Sequence, residues 1–212
     1  HLPNYPEVLQ QRLRECGIPV VGFGIAGAAG FDNLAIDYTQ AVYELTRHLL
    51  ERHGARRILF AGGGANSSRY EGYCRAMQAF ALPAAPHKEV EKVTLASGYA
   101  TGWNLAADGP VPEAVVCHND IFAMGLIAGL RDAGYSVPGD VLVTGIDNIE
   151  FAAYSNPRLS SAGVEVEMLA EQLCERLFRQ IDGARSTDVH ETAIPVRCFF
   201  RESCGCREIL PQ

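Results

Sequence analysis

A strand, a helix and a second strand follow one another between residues 113 and 150, and this pattern constrains the fold more than any other segment. Residues 114–117 form a short apolar run, residues 121–133 carry apolar side chains at helical spacing, and residues 141–146 are again apolar and β-branched. Gly134 predicts the end of the helix, and a later Pro-Gly pair predicts a turn. The pattern predicts an α/β fold in which both strands lie parallel in one sheet.

Polar residues follow each of these strands. His118, Asn119 and Asp120 come after the first strand, and Asp147 and Asn148 come after the second. In a parallel α/β sheet, ligands bind outside the carboxyl ends of the strands, so the two groups should face one crevice. We therefore predict a binding site that contains Asn119 and Asp147.

A third polar group lies where a strand predicted over residues 57–62 leads into a helix predicted over residues 69–80. Ser67 lies in the loop between them, and Arg69 lies in the first turn of the helix. There the guanidinium offers a planar set of donors beside free backbone N–H groups, which suits a carboxylate, a phosphate or a vicinal diol. We predict that Ser67 and Arg69 bind the ligand. Capping of a neighbouring loop is the alternative role for Arg69.

The remaining chain continues to alternate strands with helices. Further strands are predicted over residues 18–23, 89–95 and 193–200, and further helices over residues 6–16, 37–53, 98–107 and 164–181. This order predicts parallel sheets flanked by helices.

Charge and cysteine content limit the partners and the compartment. The net charge is −7 and the Lys and Arg residues are scattered, so we predict that this chain itself does not grip a nucleic-acid backbone. Seven cysteines at irregular spacings argue against a disulfide framework and for a reducing compartment. No run approaches the roughly 18 apolar residues of a membrane span, and no signal peptide opens the chain, so we predict a cytoplasmic protein without a membrane partner. His1-Leu2-Pro3 is not a natural start, so we expect that upstream residues have been removed.

The sequence contains no recognisable catalytic constellation. It lacks a Gly-x-Ser-x-Gly elbow, a His-Glu-x-x-His helix, a Walker loop and a carboxylate pair at a recognisable spacing. Arg69, Asn119 and Asp147 make a hydrogen-bonding set that holds a ligand rather than cleaves one, and we expect His118 to be structural. We therefore predict no enzyme activity and no cofactor.

Cys204 and Cys206, near the end of the chain, raise the question of a bound metal. A zinc site needs about four ligands, and only His190 or Cys198 could plausibly help these two. We therefore predict no metal site.

The stretch HNDIFAMGLIAGLRDAGYSVPGDVLVTGIDNIEFAAYSNPRLSS resembles the core signature of effector-binding domains in the lactose-repressor/galactose-repressor (LacI/GalR) family of transcription regulators. The matching parts are Asn-Asp at residues 119–120 with the small-residue helix after it, Val-Pro-x-Asp-Val at residues 137–141, Gly-x-Asp at residues 145–147 and Tyr-x-x-Pro at residues 154–157. The resemblance implies a two-lobe fold of the type I periplasmic-binding-protein class, with an incomplete N-terminal lobe. It places residues 1–36 and 162–186 in the N-terminal lobe, residues 37–161 and 187–203 in the C-terminal lobe, and residues 204–212 in a tail.

The resemblance also implies roles for single residues. In the segment SSRYEGYCRAM, Arg69 matches an arginine that contacts ligand in the family. Gly24 stands where the family often has a ligand-contacting acid, and Ser97 stands where it commonly has an aromatic residue that stacks on the ligand. Tyr99 is the candidate substitute for that aromatic residue, and an exposed helix tyrosine is the alternative.

The helix over residues 121–130 resembles the dimer-contact helix of the family. This implies a homodimer, and the residues expected at its interface are Ile121, Met124, Gly125, Ala128 and Tyr154. The small residues of this helix would permit a close approach between two subunits. Packing of the same residues in the core is the alternative.

The function implied is that of a ligand-sensing domain, which binds a small polar molecule such as a sugar or nucleoside in the cleft between the lobes. DNA would be contacted only by a region absent from this chain. Two alternatives stay open. One is the sensor domain of a diguanylate cyclase or histidine kinase, since the ending Arg-Glu-Ser-Cys-Gly-Cys resembles such proteins. The other is a periplasmic solute-binding protein.

Overall fold

The computed structural model describes residues 11–13, 15–24, 32–84, 87–182 and 191–206, and strands alternate with helices through most of them. The elements are β1 (Val21–Phe23), β2 (Asp32–Ile36), α1 (Tyr38–Arg52), β3 (Ile58–Ala61), α2 (Ser68–Ala79), α3 (Leu95–Ala107), β4 (Ala114–Cys117), α4 (Asp120–Asp132), β5 (Leu142–Thr144), β6 (Ser161–Gly163), α5 (Val166–Ile181), β7 (Glu191–Ile194) and β8 (Arg197–Phe199), with 3-10 turns at Glu150–Ala153 and Glu202–Cys204. Most of the helix predicted over residues 6–16 lies outside the described residues. In the part of the chain that the structure describes, no helix combines the length and the apolar character needed to cross a membrane.

The chain divides into two units, each built from two separate segments. Unit 1 comprises His1–Asp37 and Val164–Val196, and unit 2 comprises Tyr38–Gly163 and Arg197–Gln212. The first two divisions fall within two residues of the lobe boundaries predicted at residues 36/37 and 161/162. The third boundary, predicted at residues 186/187, lies outside the described residues, and the division falls after Val196 instead.

The single strand predicted over residues 193–200 is two strands that belong to different sheets. β7 pairs in parallel with β2 in unit 1, whereas β8 pairs antiparallel with β6 in unit 2. Pro195 lies between them, and its ring nitrogen cannot donate a hydrogen bond to a sheet. The prediction was wrong because continuous apolar character does not reveal a change of sheet.

Unit 2 is built on a parallel sheet of order β3-β4-β5. Every residue of β3 and β4 is buried, as expected for strands that are covered on both faces. Isolated parallel bridges extend the sheet at its two edges, from Ala61 to Lys88 and from Thr144 to Ser160. Because α4 joins β4 to β5 in parallel, the strand–helix–strand unit predicted between residues 113 and 150 is confirmed.

The strand predicted over residues 89–95 does not form. Val90 and Val93 are partly buried and pack against the core, so they anchor a connecting segment rather than a strand. Thr94 then caps α3 through a capping box with Ser97. The hydroxyl of Thr94 accepts from the backbone N of Ser97 at 3.1 Å, and the backbone N of Thr94 donates to the Ser97 hydroxyl at 3.0 Å. This local signal starts the helix at Leu95, three residues before the predicted position.

Unit 1 contains a parallel sheet of order β1-β2-β7. Leu34 and Ile194 from two of its strands form a small core with Leu169 of α5. Arg176 of α5 forms an ion pair with Asp32, so charge as well as apolar contact joins this helix to the sheet.

The helices α3 and α4 pack together through four glycines. At each of these positions an added Cβ would overlap a backbone carbonyl oxygen of the other helix. The pairs are Gly98 with Phe122, Gly102 with Leu126, Gly125 with Leu95, and Gly129 with Tyr99. The two backbones therefore touch, with no side chain between them. The expectation that Gly125 lies at a dimer interface is corrected, because the Leu95 carbonyl of the same chain already covers it.

Asp120, the first residue of α4, is fully buried and joins three parts of unit 2. Its carboxylate accepts from the Ser161 hydroxyl at 2.6 Å and from the backbone N of Ile149 at 2.9 Å, while its own N–H donates to the Ile146 carbonyl at 2.8 Å. Gly145 leaves room for the carboxylate, since a Cβ there would overlap its oxygen. Burial raises the pKa of Asp120 to about 7, and the two hydrogen bonds to the carboxylate oppose that rise.

We expect Gly125→Ala to lower the free energy of unfolding by about 1–3 kcal/mol, because the new methyl has no space against the Leu95 carbonyl. Helix propensity alone would predict that the free energy of unfolding rises by about 1 kcal/mol. The sign of the measured change therefore distinguishes the packing effect from the propensity effect. Chemical denaturation measures the change. Arg131→Ala, at an exposed position of the same helix, is the control and should change stability by less than about 0.5 kcal/mol. A stabilised Gly125→Ala protein would contradict the close packing of α3 and α4.

We expect Asp120 to make wild-type stability fall as the pH rises. Its pKa in the fold, about 7, lies above the ordinary value of 3.8, so its contribution is fully present below about pH 4 and is lost as the pH rises through about 7. Asp120→Asn removes this titration. The unfolding free energy of wild type relative to the variant should therefore fall by up to about 1.4 kcal/mol per pH unit in that range.

Urea denaturation of wild type and Asp120→Asn at a series of pH values measures the difference between their unfolding free energies. The titration of all other groups contributes to both proteins and cancels in this difference. Asp132→Asn, at an exposed position of the same helix, is the matched control. A difference between wild type and Asp120→Asn that stays constant from pH 4 to pH 8 would contradict the raised pKa.

Candidate ligand-binding site

The segments that follow β3, β4 and β5 lie at one edge of the unit 2 sheet, as parallel strands require. Arg69 and Asp147 form the central contact at this edge, with Nη2 of Arg69 3.2 Å from Oδ1 of Asp147. The side chain of Arg69 is 7% exposed and that of Asp147 is 36% exposed. The pair therefore joins a buried cation to a carboxylate that a ligand can reach.

Tyr38, the first residue of α1, holds the guanidinium of Arg69 from a second direction. The Cζ atom of Arg69 lies 3.7 Å from the centroid of the Tyr38 ring, in cation–π contact. Burial raises the pKa of Tyr38, so its hydroxyl remains a hydrogen-bond donor at neutral pH. The ring and the carboxylate together fix the direction of the Arg69 donors.

The backbone of Asp147 is strained. Its φ of 98° lies in a region that non-glycine residues rarely occupy, at a cost of about 1–3 kcal/mol. A hydrogen bond of 2.8 Å from its N–H to the Ala162 carbonyl holds this conformation. Burial raises the pKa of the Asp147 carboxyl, and the charge of Arg69 opposes that rise. Strain that presents a carboxylate at a strand end indicates a functional position.

His118 contributes an uncharged imidazole to the same edge. Burial, with a smaller effect from Arg69, lowers the pKa of His118 to about 4. Its Nδ1 is buried and has no hydrogen-bond partner among the described residues, and the same is true of Nε of Arg69. Buried polar atoms are normally hydrogen-bonded, so these two atoms are exceptions. The His118 ring packs on Gly63, where an added Cβ would overlap Nδ1.

Ser67 and Asn119 lie at this edge as N-caps of helices. The hydroxyl of Ser67 accepts from the backbone N of Tyr70 at 3.2 Å, and Oδ1 of Asn119 accepts from the backbone N of Phe122 at 2.9 Å. Capping uses an acceptor of each side chain, which leaves the Nδ2 donor of Asn119 for other partners. Their contact with a ligand stays a prediction.

Tyr99 does not join this group. Its hydroxyl donates to Oδ2 of Asp132 at 3.1 Å, and Asp132 is the last residue of α4, whereas Asn119 caps the first turn of that helix. A helix of 13 residues separates its two ends by about 20 Å. The expectation that Tyr99 substitutes for a stacking aromatic residue is therefore corrected.

The other residues predicted at a dimer interface lie at least partly on the surface. Ile121 is 40% exposed and Tyr154 is 81% exposed, and Phe151 beside Tyr154 is 70% exposed. Met124 and Ala128 are half-buried, and Met124 also packs against the core of unit 2. Ile121 and Tyr154 are thus exposed apolar side chains, whereas Gly125 is buried.

Sequence reasoning missed Tyr38. No spacing motif relates Tyr38 to Arg69, because the two residues belong to different helices and meet only in the fold. The expectation that His118 is structural stays a prediction.

Comparisons with known proteins agree with this architecture. The periplasmic binding protein-like domain family matches residues 46–204, about three quarters of the chain. Catabolite control protein A from Priestia megaterium is 27% identical over 207 residues, which cover 94% of this chain and 62% of that protein. The HTH-type transcriptional repressor PurR from Escherichia fergusonii is 31% identical over 207 residues, which cover 92% of this chain and 60% of the repressor. The chain thus spans about 60% of the length of these relatives.

A solved structure supports the same assignment. The transcriptional regulator CelR in its cellobiose complex superposes with a TM-score of 0.82 at 25% identity, over 95% of this chain and 63% of that one. The match extends over both units of the chain. The chain therefore belongs to the family of periplasmic binding protein-like domains, and the relatives that match it over most of its length are transcription regulators.

Proposed function

We propose that this chain is the effector-binding domain of a LacI/GalR-type transcription regulator and binds a small polar molecule at the carboxyl edge of β3, β4 and β5. The observation that carries the proposal is the contact between buried Arg69 and the partly exposed carboxylate of Asp147. DNA binding belongs to a part of the regulator outside this chain. Coupling between the two requires that the ligand bind two states of the regulator with different affinities.

The charges at the site favour an uncharged, hydroxylated ligand. Asp147 lies 3.2 Å from Arg69 and offsets its charge, so a phosphate or carboxylate placed there would be repelled by the aspartate. A sugar or nucleoside hydroxyl can instead accept from Arg69 and donate to Asp147. The CelR relative is a cellobiose complex, which favours a sugar.

A binding role fits these residues better than catalysis. Arg69 is held by an ion pair and a ring contact, so it is positioned to donate hydrogen bonds rather than to transfer protons. The relatives described above are transcription regulators, which favours this role over the sensor domain of a signalling enzyme or a periplasmic solute-binding protein. On this proposal the regulator acts in the cytoplasm, where its DNA lies.

Ligand binding is tested by a thermal-shift screen of monosaccharides, disaccharides and nucleosides, followed by calorimetric titration of each hit. A ligand at about 100 times its dissociation constant should stabilise the fold by about 2.7 kcal/mol. We expect Asp147→Asn and Arg69→Lys each to weaken affinity at least about 10-fold, because the first removes the charged acceptor and the second replaces the planar guanidinium by a single ammonium. Asparagine also tolerates the positive φ at residue 147, so that variant should fold.

Tyr99→Phe is the control for this titration. It removes one hydroxyl, the one bonded to Asp132 at the far end of α4, and should leave affinity within about twofold. A folded wild-type protein that binds nothing in the panel would count against the site. So would a ligand whose affinity is the same for wild type and for Asp147→Asn.

We also propose that the regulator is a homodimer that uses the exposed apolar surface formed by Ile121, Met124, Ala128, Phe151 and Tyr154. Large exposed apolar side chains mark interaction sites when they lie together. The hydrogen bond from the backbone N of Ile149 to Asp120 brings the turn that carries Phe151 to the start of α4, where Ile121 lies. Sedimentation velocity should show a dimer for wild type and a monomer for the double variant Ile121→Arg/Tyr154→Arg. Phe178→Arg is the control. It changes another exposed apolar residue, which lies on α5, and this variant should remain dimeric. A monomeric wild type at the highest concentration measured would reject this surface as a dimer interface.

A further inference from the structure

Four metal-ligating side chains converge in unit 2, away from the ligand-binding residues. His48 lies on α1, His53 follows its last residue, Cys204 ends the 3-10 turn Glu202–Cys204, and Cys206 comes two residues later. Their donor atoms all lie within 4.8 Å of one another. Cys204 is buried and the other three residues are half-buried, so the cluster is largely closed to solvent.

Four of the six separations between donor atoms are close to those of a tetrahedral zinc site, and the other two are at most 4.8 Å. Nε2 of His48 lies 3.2 Å from Nε2 of His53, 3.3 Å from Sγ of Cys206 and 3.8 Å from Sγ of Cys204, and Nε2 of His53 lies 3.5 Å from Sγ of Cys206. With Zn–N bonds of about 2.0–2.1 Å and Zn–S bonds of about 2.3 Å, tetrahedral geometry places donors about 3.3–3.8 Å apart.

The surrounding residues hold the ligands in place from both sides. The ring of Phe200 stacks on that of His48, with centroids 3.6 Å apart. Gly205 has a φ of 87°, which turns the chain so that Cys206 returns toward the histidines. The hydroxyl of Ser203 donates to the Val143 carbonyl at 2.6 Å and accepts from the backbone N of Ser160 at 2.8 Å, which anchors the turn beside the sheet.

Hydrogen bonding alone is a poor account of this cluster. Two imidazole Nε2 atoms 3.2 Å apart can share one proton, yet both also lie within 3.5 Å of the same sulfur, which is a weak hydrogen-bonding partner. Two nitrogens and two sulfurs within 4.8 Å of one another form a Cys2His2 donor set, the type that selects Zn²⁺.

We propose that His48, His53, Cys204 and Cys206 bind one Zn²⁺ in a structural site that fastens the C-terminal segment of unit 2 to α1. The site is structural rather than catalytic because the protein supplies all four ligands of a tetrahedral ion. This inference departs from the expectation of no metal site, which considered His190 and Cys198 as partners for the terminal cysteines. His190 lies outside the described residues, and Cys198 is not part of the cluster.

Metal analysis of the whole chain, purified without a polyhistidine tag, tests the proposal. We expect one Zn²⁺ per chain after dialysis. Replacement by Co²⁺ should give the visible bands of a tetrahedral ion together with a thiolate-to-cobalt charge-transfer band. Cys206→Ser should lower the affinity for Zn²⁺ at least about 100-fold, and chelation should lower the Tm of wild type but not of this variant.

Cys198→Ser is the matched control, because it changes a partly buried cysteine of the same segment outside the cluster, and it should keep both the zinc and the cobalt spectrum. His53→Gln provides a second ligand variant at a half-buried position, in case Cys206→Ser folds poorly. Wild-type protein that takes up no Zn²⁺ or Co²⁺ would overturn the proposal. Equal zinc affinity in Cys206→Ser, or a disulfide between Cys204 and Cys206 in the protein as purified, would do the same.

Discussion

The buried carboxylate of Asp120 is the contact on which the rest of unit 2 depends. It begins α4, and its hydrogen bonds to Ser161 and to the backbone of Ile149 hold the segment after β5 and the start of β6 against that helix. Asp147 lies within the segment that these bonds fix. These bonds therefore support the strained backbone of Asp147, and its carboxylate contacts Arg69.

At the carboxyl edge of the unit 2 sheet, the buried charge of Arg69 is offset by neighbouring groups. Arg69 is nearly fully buried, and its charge is offset by Asp147 and by the ring face of Tyr38, while His118 remains neutral. Burial of a cation without such partners would be strongly destabilising. The arrangement is polar and its charges are offset, which supports the proposed uncharged ligand.

The C-terminal segment belongs to unit 2, and the structure describes it as far as Cys206. Arg201 is buried and donates to the Leu159 carbonyl and to Oδ1 of Asn148, and Ser203 bonds to β5 and to Ser160. Cys204 is fully buried as well. The proposed zinc site lies directly after these contacts and would close the segment against α1. The boundary between the lobe and the tail, placed after residue 203, stays a prediction.

The sequence by itself determined the α/β class, β4, α4 and β5 as parts of one parallel unit, and the position of Asn119 and Asp147 at the strand ends. These features follow from periodicity and strand direction, which are properties of neighbouring residues. Only the tertiary structure decided that Gly125 packs on α3, that Tyr99 lies at the far end of α4, and that Tyr38 supports Arg69. It also brought His48 and His53 to two cysteines more than 150 residues later in the chain. Such contacts depend on which element covers which face, and that is set by packing between distant segments rather than by local pattern.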